Sequence, residues 1–210
     1  MTREDFTDRL LRRVSPLTVS AEAQELLYDY YVLLSHWNKR INLTSLDLEP
    51  LTSDALDRLF AEPLLASRHV GFPSSWVDLG SGGGSPAVPL KILRPAARLT
   101  MIESRSRKAA FLREAARHLR LRETVVMRER FQATASHPAH IGAADLVTIR
   151  GVRIDAEVAE CSRRILREDG ELVVFGHDAP HKSPPGFRAK STVKLLTGSR
   201  LWVYVPDALA

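Results

Sequence analysis

A run of glycines follows a short apolar segment near the middle of the 210-residue chain, in the order Trp-Val-Asp-Leu-Gly-Ser-Gly-Gly-Gly-Ser over residues 76–85. Glycine permits positive φ and lets backbone N–H groups approach a ligand closely. Such a run between a strand and a helix typically holds a nucleotide-like cofactor at the edge of a parallel sheet. The pattern G-x-G-x-G also overlaps the dinucleotide fingerprint. The run therefore predicts a nucleotide-like ligand and leaves its identity open.

A carboxylate follows the glycine run at the spacing expected of a ribose-binding residue. Glu103 ends the apolar segment 99–103, and a carboxylate about 20 residues after the loop can accept hydrogen bonds from both ribose hydroxyls. Asp78 stands just before the glycines, and we expect it to support the loop by accepting from backbone N–H groups.

Strands and helices alternate from residue 76 onward, which implies a parallel sheet with helices on both faces. Apolar patterns predict strands at 76–79, 98–102, 124–127, 145–149 and 171–175, and helices at 86–93, 106–119 and 152–166. We expect Ser85 to cap the first of these helices and Asp169-Gly170 to form a turn before the fifth strand. Segments 192–196 and 201–205 flank a Thr-Gly-Ser-Arg turn and predict a closing hairpin.

Helical patterns fill the chain before the sheet. They predict helices at 3–14, 20–39 and 52–68, with Ser20 as an N-cap and Pro63 as a kink or boundary. We expect residues 1–70 to form a helical extension and residues 71–210 a Rossmann-like domain, together one compact unit. The extension before the sheet and the hairpin after it resemble a class I S-adenosylmethionine-dependent methyltransferase. A NAD-dependent oxidoreductase is a more distant alternative.

The composition favours a basic protein of a reducing compartment. The chain has 30 Lys and Arg against 25 Asp and Glu, a net charge of +5, which mildly favours a polyanionic partner. Cys161 is its one cysteine, so no internal disulfide can form. The first residues lack the apolar core of a signal peptide, and no apolar run approaches the roughly 20 residues that span a bilayer. We expect a cytoplasmic protein without a membrane partner or a metal site.

Two separate stretches resemble the RsmG (GidB) family, bacterial enzymes that methylate a guanine N7 in 16S ribosomal RNA. One is the glycine segment 76–90 together with R-P at 94–95, M-I-E-S at 101–104 and K-A-A-F-L-R at 108–113. The other is H-W-N-K-R-I-N-L-T-S at 36–45, which is similar to the family's W-N-K-x-x-N-L-T-S signature. The second stretch lies outside the cofactor fold, so a general methyltransferase likeness does not explain it.

The resemblance implies S-adenosyl-L-methionine as cofactor, 16S ribosomal RNA in the small ribosomal subunit as partner, and a monomer. By position it assigns the cofactor contacts to Gly80, Gly82, Ser85, Glu103, Phe131, Gln132 and Arg150. Phe131 and Gln132 would flank the adenine. Arg150 would hold the methionine carboxylate, or a phosphate or O6 of the target base, and is the one candidate for a catalytic role. Its alternative is a structural ion pair. The substrate side receives Asn42, Lys39 and Arg40.

Several departures mark this chain as a divergent member. Gly83 and Ser85 stand where the family has proline and an apolar residue, and an H-x-x-D-S segment appears as residues 58–62 without the His and Asp. Gly176, beside His177, replaces a lysine near the end of the fifth strand. The departures affect groups nearest a bound guanine. They keep two alternatives open: a methyltransferase of this fold acting on another substrate, and an RNA-binding homologue without turnover.

Overall fold

A computed structural model of the protein describes residues 1–71, 73–177, 183–196 and 198–207. In these residues one sheet runs in the order β3-β2-β1-β4-β5-β7-β6. The strands are β1 (Ser75–Leu79), β2 (Arg98–Ile102), β3 (Thr124–Met127), β4 (Ala144–Arg150), β5 (Leu166–Gly176), β6 (Phe187–Lys194) and β7 (Arg200–Pro206). Strands β1 to β5 are parallel, and β7 is antiparallel to both β5 and β6. The predicted α/β fold with a closing hairpin is confirmed.

Helices cover both faces of this sheet. They are α1 (Arg3–Val14), α2 (Ala21–Asn38), α3 (Ser53–Leu56), α4 (Glu62–Ala66), α5 (Ala87–Leu93), α6 (Ser106–His118), α7 (Phe131–Ser136) and α8 (Ala156–Ile165). Ser20 caps α2 as predicted, because its hydroxyl accepts the Ala23 N–H at 3.2 Å. Among the residues that the model describes, no helix combines the length and apolar character needed to cross a membrane.

The third predicted helix is not continuous. A π-helical turn, Asp57–Ala61, joins α3 to α4, and α-helical winding resumes at Glu62, directly before Pro63. Ser85 does not cap α5, since Pro86 occupies the cap position and the Ser85 hydroxyl donates to the Leu59 carbonyl oxygen at 2.9 Å. Tertiary contacts therefore override both local patterns.

Three boundaries after β4 also differ from the sequence-based expectation. Strand β6 begins at Phe187, five residues before the predicted start of the hairpin, because it pairs with β7 as far as Pro206. Helix α8 begins four residues late because the carboxylate of Asp155 accepts the Val158 N–H and caps it there. Strand β5 begins at Leu166 and passes through Asp169-Gly170 without the predicted turn. An irregular register against β4, between Ala144 and Leu146, accommodates these extra residues.

The N-terminal helices share a hydrophobic core with one face of the sheet. Buried side chains from α1, α2 and the α3–α4 region pack with those of α5, α6, β2 and β7, as Phe6, Leu27, Phe60, Phe111, Met101 and Val203 illustrate. A smaller core lies on the other face and includes Val77, Ile149, Val158 and Leu172. Helix α2 is thereby held against the end of β1, where the glycine run lies.

Candidate active site

The glycine run forms a tight loop at the carboxyl end of β1. Gly80 has φ +75°, and a Cβ built on it would lie 2.6 Å from the Val152 side chain, so only glycine fits there. The N–H groups of Gly80 and Ser81 both donate to the Ile102 carbonyl oxygen, at 2.9 and 3.0 Å. The loop is therefore fixed by the end of the neighbouring strand β2.

Glu103 completes the attachment of this loop. Its buried carboxylate accepts the Gly82 N–H through Oε2 at 3.0 Å and the Arg105 N–H through Oε1 at 2.7 Å. These bonds hold Gly82 at φ +52°. A carboxylate has about four acceptor positions, so two are left for a ligand. The sequence predicted where Glu103 lies but not that it binds the loop.

Asp78 has a different partner from the one predicted. Its carboxylate accepts the Thr148 hydroxyl, and Thr148 Oγ1 in turn accepts the Trp76 indole N–H at 2.8 Å. The expectation that the Asp78 carboxylate accepts from backbone N–H groups of the loop is wrong, because it bonds Thr148 of β4; Asp78 still supports the loop, since its carbonyl oxygen accepts the Ser81 hydroxyl at 3.1 Å. Burial raises the pKa of Asp78 to about 6. This chain of hydrogen bonds joins β1 to β4 beneath the site.

The adenine side, by the family assignment, is the start of α7. Phe131 and Gln132 are half-buried there, on a short helix that the sequence did not indicate. Gln132 Oε1 is buried and finds no hydrogen-bond partner within the described residues. An unsatisfied buried acceptor is destabilising until a donor reaches it. The position thus fits a ligand that carries an N–H donor, as the adenine amino group does.

Arg150 is the centre of a buried polar cluster at the end of β4. Its Nη2 lies 2.6 Å from Glu62 Oε2, and its Nη1 donates to the Arg58 carbonyl and, at 3.3 Å, to Ser85 Oγ. The guanidinium carbon lies 4.5 Å from the centre of the Phe175 ring. Burial lowers the pKa of Arg150 to about 10, so it stays charged at neutral pH. The structural ion pair weighed from the sequence is therefore present.

Arg150 also lines a cavity, so its guanidinium can contact a ligand as well as Glu62. The cavity has a volume of about 860 Å³ and lies beyond the carboxyl ends of β4 and β5. Its walls include Arg58, Arg150, Arg153, Phe175, His177 and Trp202. Arginines beside aromatic rings suit an aromatic base and its phosphates.

The lost family lysine at position 176 has a local explanation. A Cβ built on Gly176 would lie 3.1 Å from the Trp202 ring, a tight contact that the ring could relieve only by moving a few tenths of an ångström. Trp202 belongs to β7 and pairs with Val174 of β5, two residues before Gly176 and on the same face of the sheet. The indole therefore takes the space that a side chain at position 176 needs.

The signature stretch before the sheet lies against the glycine loop. Asn38 Oδ1 accepts the N–H groups of Leu43 and Thr44 at 2.9 and 3.0 Å and so closes the connector. A Cβ on Gly83 would lie 3.2 Å from the Leu43 carbonyl oxygen. From α2, the buried Tyr30 hydroxyl donates to the Gly83 carbonyl at 2.6 Å. Sequence reasoning missed this contact of Tyr30, because its position in the helix is that of an ordinary core residue.

The three predicted substrate-side residues are all exposed on this connector. Lys39 pairs with Glu49 at 2.7 Å. The side chains of Arg40 and Asn42 make no hydrogen bond or ion pair with any residue that the structure describes. Their polar groups are therefore accessible to a partner next to the glycine loop.

The sheet order, the loop after β1 and the carboxylate after β2 define a class I S-adenosylmethionine-dependent methyltransferase fold. Two solved structures share it: a SAM dependent methyltransferase from Aquifex aeolicus (TM-score 0.56, 16% identity, 70% of this chain and 90% of that one) and the Pyocyanin Biosynthetic Protein PhzM (TM-score 0.62, 18% identity, 88% and 64%).

Sequence comparison narrows the class to one family. The model of the GidB family, described as rRNA small subunit methyltransferase G, matches residues 23–191, and the chain belongs to this family. One relative is the Ribosomal RNA small subunit methyltransferase G of Xanthomonas axonopodis pv. citri (strain 306). It is 34% identical over 191 residues, which cover 90% of this chain and 85% of the relative. The resemblance inferred from the glycine segment and residues 36–45 is confirmed.

Proposed function

We propose that this protein transfers the methyl group of S-adenosyl-L-methionine to N7 of a guanine in 16S ribosomal RNA. The observation that carries the proposal is the convergence of the glycine loop, Glu103 and Arg150 at the ends of β1, β2 and β4, in a member of the rRNA small subunit methyltransferase G family. In a doubly wound sheet this edge is where ligands bind.

The cofactor residues follow from this edge. Backbone groups around Gly80, Gly82 and Ser85 form a cradle for the methionine part, and the two free acceptor positions of Glu103 receive the ribose hydroxyls. The half-buried Phe131 covers the adenine, and Gln132 Oε1 accepts its amino group. When bound, S-adenosyl-L-methionine supplies an electrophilic methyl group on a sulfonium.

Once the cofactor is bound, the protein does not need to supply an acid, a base or a nucleophile. Guanine N7 carries a free lone pair and no proton, so no general base is required. The N7 lone pair forms the new bond to carbon as the carbon–sulfur bond breaks. The task of the protein is to hold the two in line, with the target base in the cavity beside Arg150 and Phe175.

The surface next to the loop serves the RNA in this proposal. Arg40 and Asn42 are exposed and unpaired within the described residues, and Lys39 is exposed beside them. Arg105 and Arg107, at the start of α6, lie at the same edge of the sheet and are also exposed. Such side chains contact phosphates and position the RNA. All of these groups lie on one chain, so we propose that the protein acts as a monomer. We also propose that it acts in the cytoplasm, where its proposed substrate, the small ribosomal subunit, is found.

One experiment tests the proposal directly. The protein is incubated with labelled S-adenosyl-L-methionine and small ribosomal subunits that lack the modification, and N7-methylguanine is mapped by borohydride reduction and aniline cleavage. We expect label at one guanine of 16S RNA. Cofactor and RNA binding without transfer would instead support a homologue without turnover, and transfer to another substrate alone would support the other alternative.

A further inference from the structure

We propose that Glu62 and Ser199 are positioning residues that hold Arg150 against the cofactor loop, assisted by the Arg58 and Leu59 carbonyl groups of the π-helical turn. The proposal rests on the proposed function, because Arg150 acts there beside the cofactor and the target base. Neither Glu62 nor Ser199 belongs to the residues assigned by the family resemblance.

The first observation concerns the carbonyls of the π-helical turn. In α-helical winding the Leu59 carbonyl accepts the N–H of residue 63, and in π winding the Arg58 carbonyl does so. Residue 63 is proline and has no N–H. The Glu62 N–H bonds Asp57 in the π pattern. The missing N–H of Pro63 therefore leaves one of these two carbonyls without its helical donor.

Both carbonyls are used at the site. The Arg58 carbonyl accepts from Arg150 Nη1, and the Leu59 carbonyl accepts from the Ser85 hydroxyl at 2.9 Å. Ser85 Oγ also lies 3.3 Å from Arg150 Nη1. One turn of helix therefore fixes the arginine and the loop residue next to it.

The second observation is a buried carboxylate held from two sides. Glu62 is 2% exposed; its Oε2 lies 2.6 Å from Arg150 Nη2, and its Oε1 accepts the Ser199 hydroxyl. The Ser199 hydroxyl also lies 2.8 Å from the Leu196 carbonyl. The carboxylate is the stronger acceptor of its single proton. A buried charge needs such partners, and Ser199 supplies one from the turn between β6 and β7.

These contacts fix the plane of the Arg150 guanidinium. Glu62, the Arg58 carbonyl and Ser85 bond it, and the Phe175 ring lies 4.5 Å from its central carbon. A donor group that is already oriented does not have to reorganise during the reaction. The hairpin turn therefore affects methyl transfer through Arg150, although Ser199 contacts neither reactant in this arrangement.

The test compares two buried serines. Ser199→Ala removes the hydroxyl beside Glu62, and the control Ser162→Ala removes a buried hydroxyl on α8 that donates to the Val158 carbonyl at 2.7 Å. We expect Ser199→Ala to lower kcat on small subunits about tenfold, the effect of losing one hydrogen bond to a charged group. We expect KM for the subunits to change less than about twofold, since phosphate contacts on the surface are untouched.

Further variants separate positioning from general damage. Ser199→Thr keeps a hydroxyl and is expected to restore kcat to within about threefold of the wild type. Pro63→Ala restores a competing N–H donor and is expected to lower kcat about threefold. Equal kcat in Ser199→Ala and Ser162→Ala, or no recovery in a folded Ser199→Thr protein, would overturn the proposal.

A measurement that does not depend on activity distinguishes the positioning role from the proposed function. In ¹⁵N-arginine NMR spectra, the side-chain N–H signals of Arg150, identified with Arg150→Lys, are expected to exchange slowly with water in the wild type and in Ser162→Ala. They are expected to exchange faster in Ser199→Ala. If this holds and no methyl is transferred to subunits, only the proposed function fails. If exchange is the same in all three proteins, the positioning role fails.

Discussion

The two halves of the site are held by different kinds of interaction. On the β1–β2 side, main-chain N–H groups of the loop bond the Ile102 carbonyl and the Glu103 carboxylate, and the partners lie within 22 residues of one another in the chain. On the β4–β5 side, Glu62 bonds Arg150 and Ser199, which are 88 and 137 residues away. The first half depends on backbone geometry, and the second on charged side chains meeting from distant segments.

This difference accounts for where the chain diverges from its family. The cofactor half keeps its glycines because backbone conformation leaves no choice at Gly80. The cofactor half carries one departure, at Gly83, and the substrate half carries the others, at residues 58–62, Ser85 and Gly176. Two of these have a local partner: Glu62 pairs with Arg150, and Gly176 makes room for Trp202. A side-chain cluster can be rebuilt with other residues, provided that every buried charge keeps a partner.

The largest expected effect tests the backbone half. Gly80→Ala places a Cβ 2.6 Å from Val152 on a residue at φ +75°, so the loop must move. We expect cofactor binding, measured by calorimetry, to weaken at least about 100-fold, which corresponds to roughly 2.7 kcal/mol of binding free energy. Gly142→Ala is the matched control, because Gly142 also has positive φ (+61°) but nothing within 4 Å of the added Cβ. Equal binding by the two variants would disprove the dependence on loop geometry.

On the β4–β5 side, we expect the largest loss of stability when one charge of the buried ion pair is left without its partner. Glu62→Ala leaves the Arg150 guanidinium, 15% exposed, without its carboxylate, and breaking a buried pair in this way typically costs about 3–5 kcal/mol of unfolding free energy. The double variant Glu62→Leu/Arg150→Met removes both charges and is expected to lose less. Urea denaturation measures both. A double variant less stable than Glu62→Ala would show that packing, and not the lone charge, governs this half.

Asp78 connects the two sides of the site, because it lies on β1 and bonds Thr148 on β4. Its contribution to stability is expected to depend on pH. Its pKa is raised from 3.8 to about 6 by burial, so the folded state binds a proton more tightly than the unfolded state. The associated stability is present below about pH 4 and is lost as pH rises through about 6. In Asp78→Asn this titration is absent. We expect the unfolding free energy of the wild type minus that of Asp78→Asn to fall by about 3 kcal/mol between pH 4 and pH 7. Urea denaturation at several pH values measures it, and a constant difference would contradict the assignment.

The same division separates what the sequence predicts from what it leaves out. The order of the strands, the glycine loop and Glu103 are local signals, and the structure places them as expected, although β5 and β6 begin earlier than predicted. The π-helical turn and α7 are short and leave no periodic pattern. The contacts of Glu62 with Arg150 and Ser199 join segments far apart in the chain. The spacing of residues within a short segment cannot predict such contacts. The sequence therefore predicts the residues of the β1–β2 side, but only Arg150 and Ser85 of the β4–β5 side.

A smaller effect is expected at the adenine side, with opposite signs for stability and binding. Gln132→Met removes the buried, unpaired Oε1, so we expect the protein without cofactor to gain about 1 kcal/mol of unfolding free energy. The cofactor loses an acceptor and is expected to bind about tenfold more weakly. Gln24→Met is the control, because Gln24 is also half-buried but donates to the Val19 carbonyl at 2.8 Å. That control should lose stability and bind cofactor normally. Stability and binding that fall together in Gln132→Met would rule out the ligand role.

The smallest effect concerns the exposed connector, where neither half of the site constrains the side chains. The Arg40 side chain has no partner among the described residues and lies on the connector that approaches Gly83 through Leu43, whereas Arg12 Nη2 on α1 lies 3.8 Å from Asp8 Oδ2. If Arg40 contacts one phosphate, Arg40→Gln should reduce the slope of log affinity against log salt by about 0.7–0.9. Arg12→Gln should leave the slope unchanged. Lys39→Gln should fall between them, because Lys39 must leave Glu49 to reach the RNA. Filter binding of 16S RNA at several salt concentrations measures all three, and equal slopes for Arg40→Gln and Arg12→Gln would move the RNA path away from the connector.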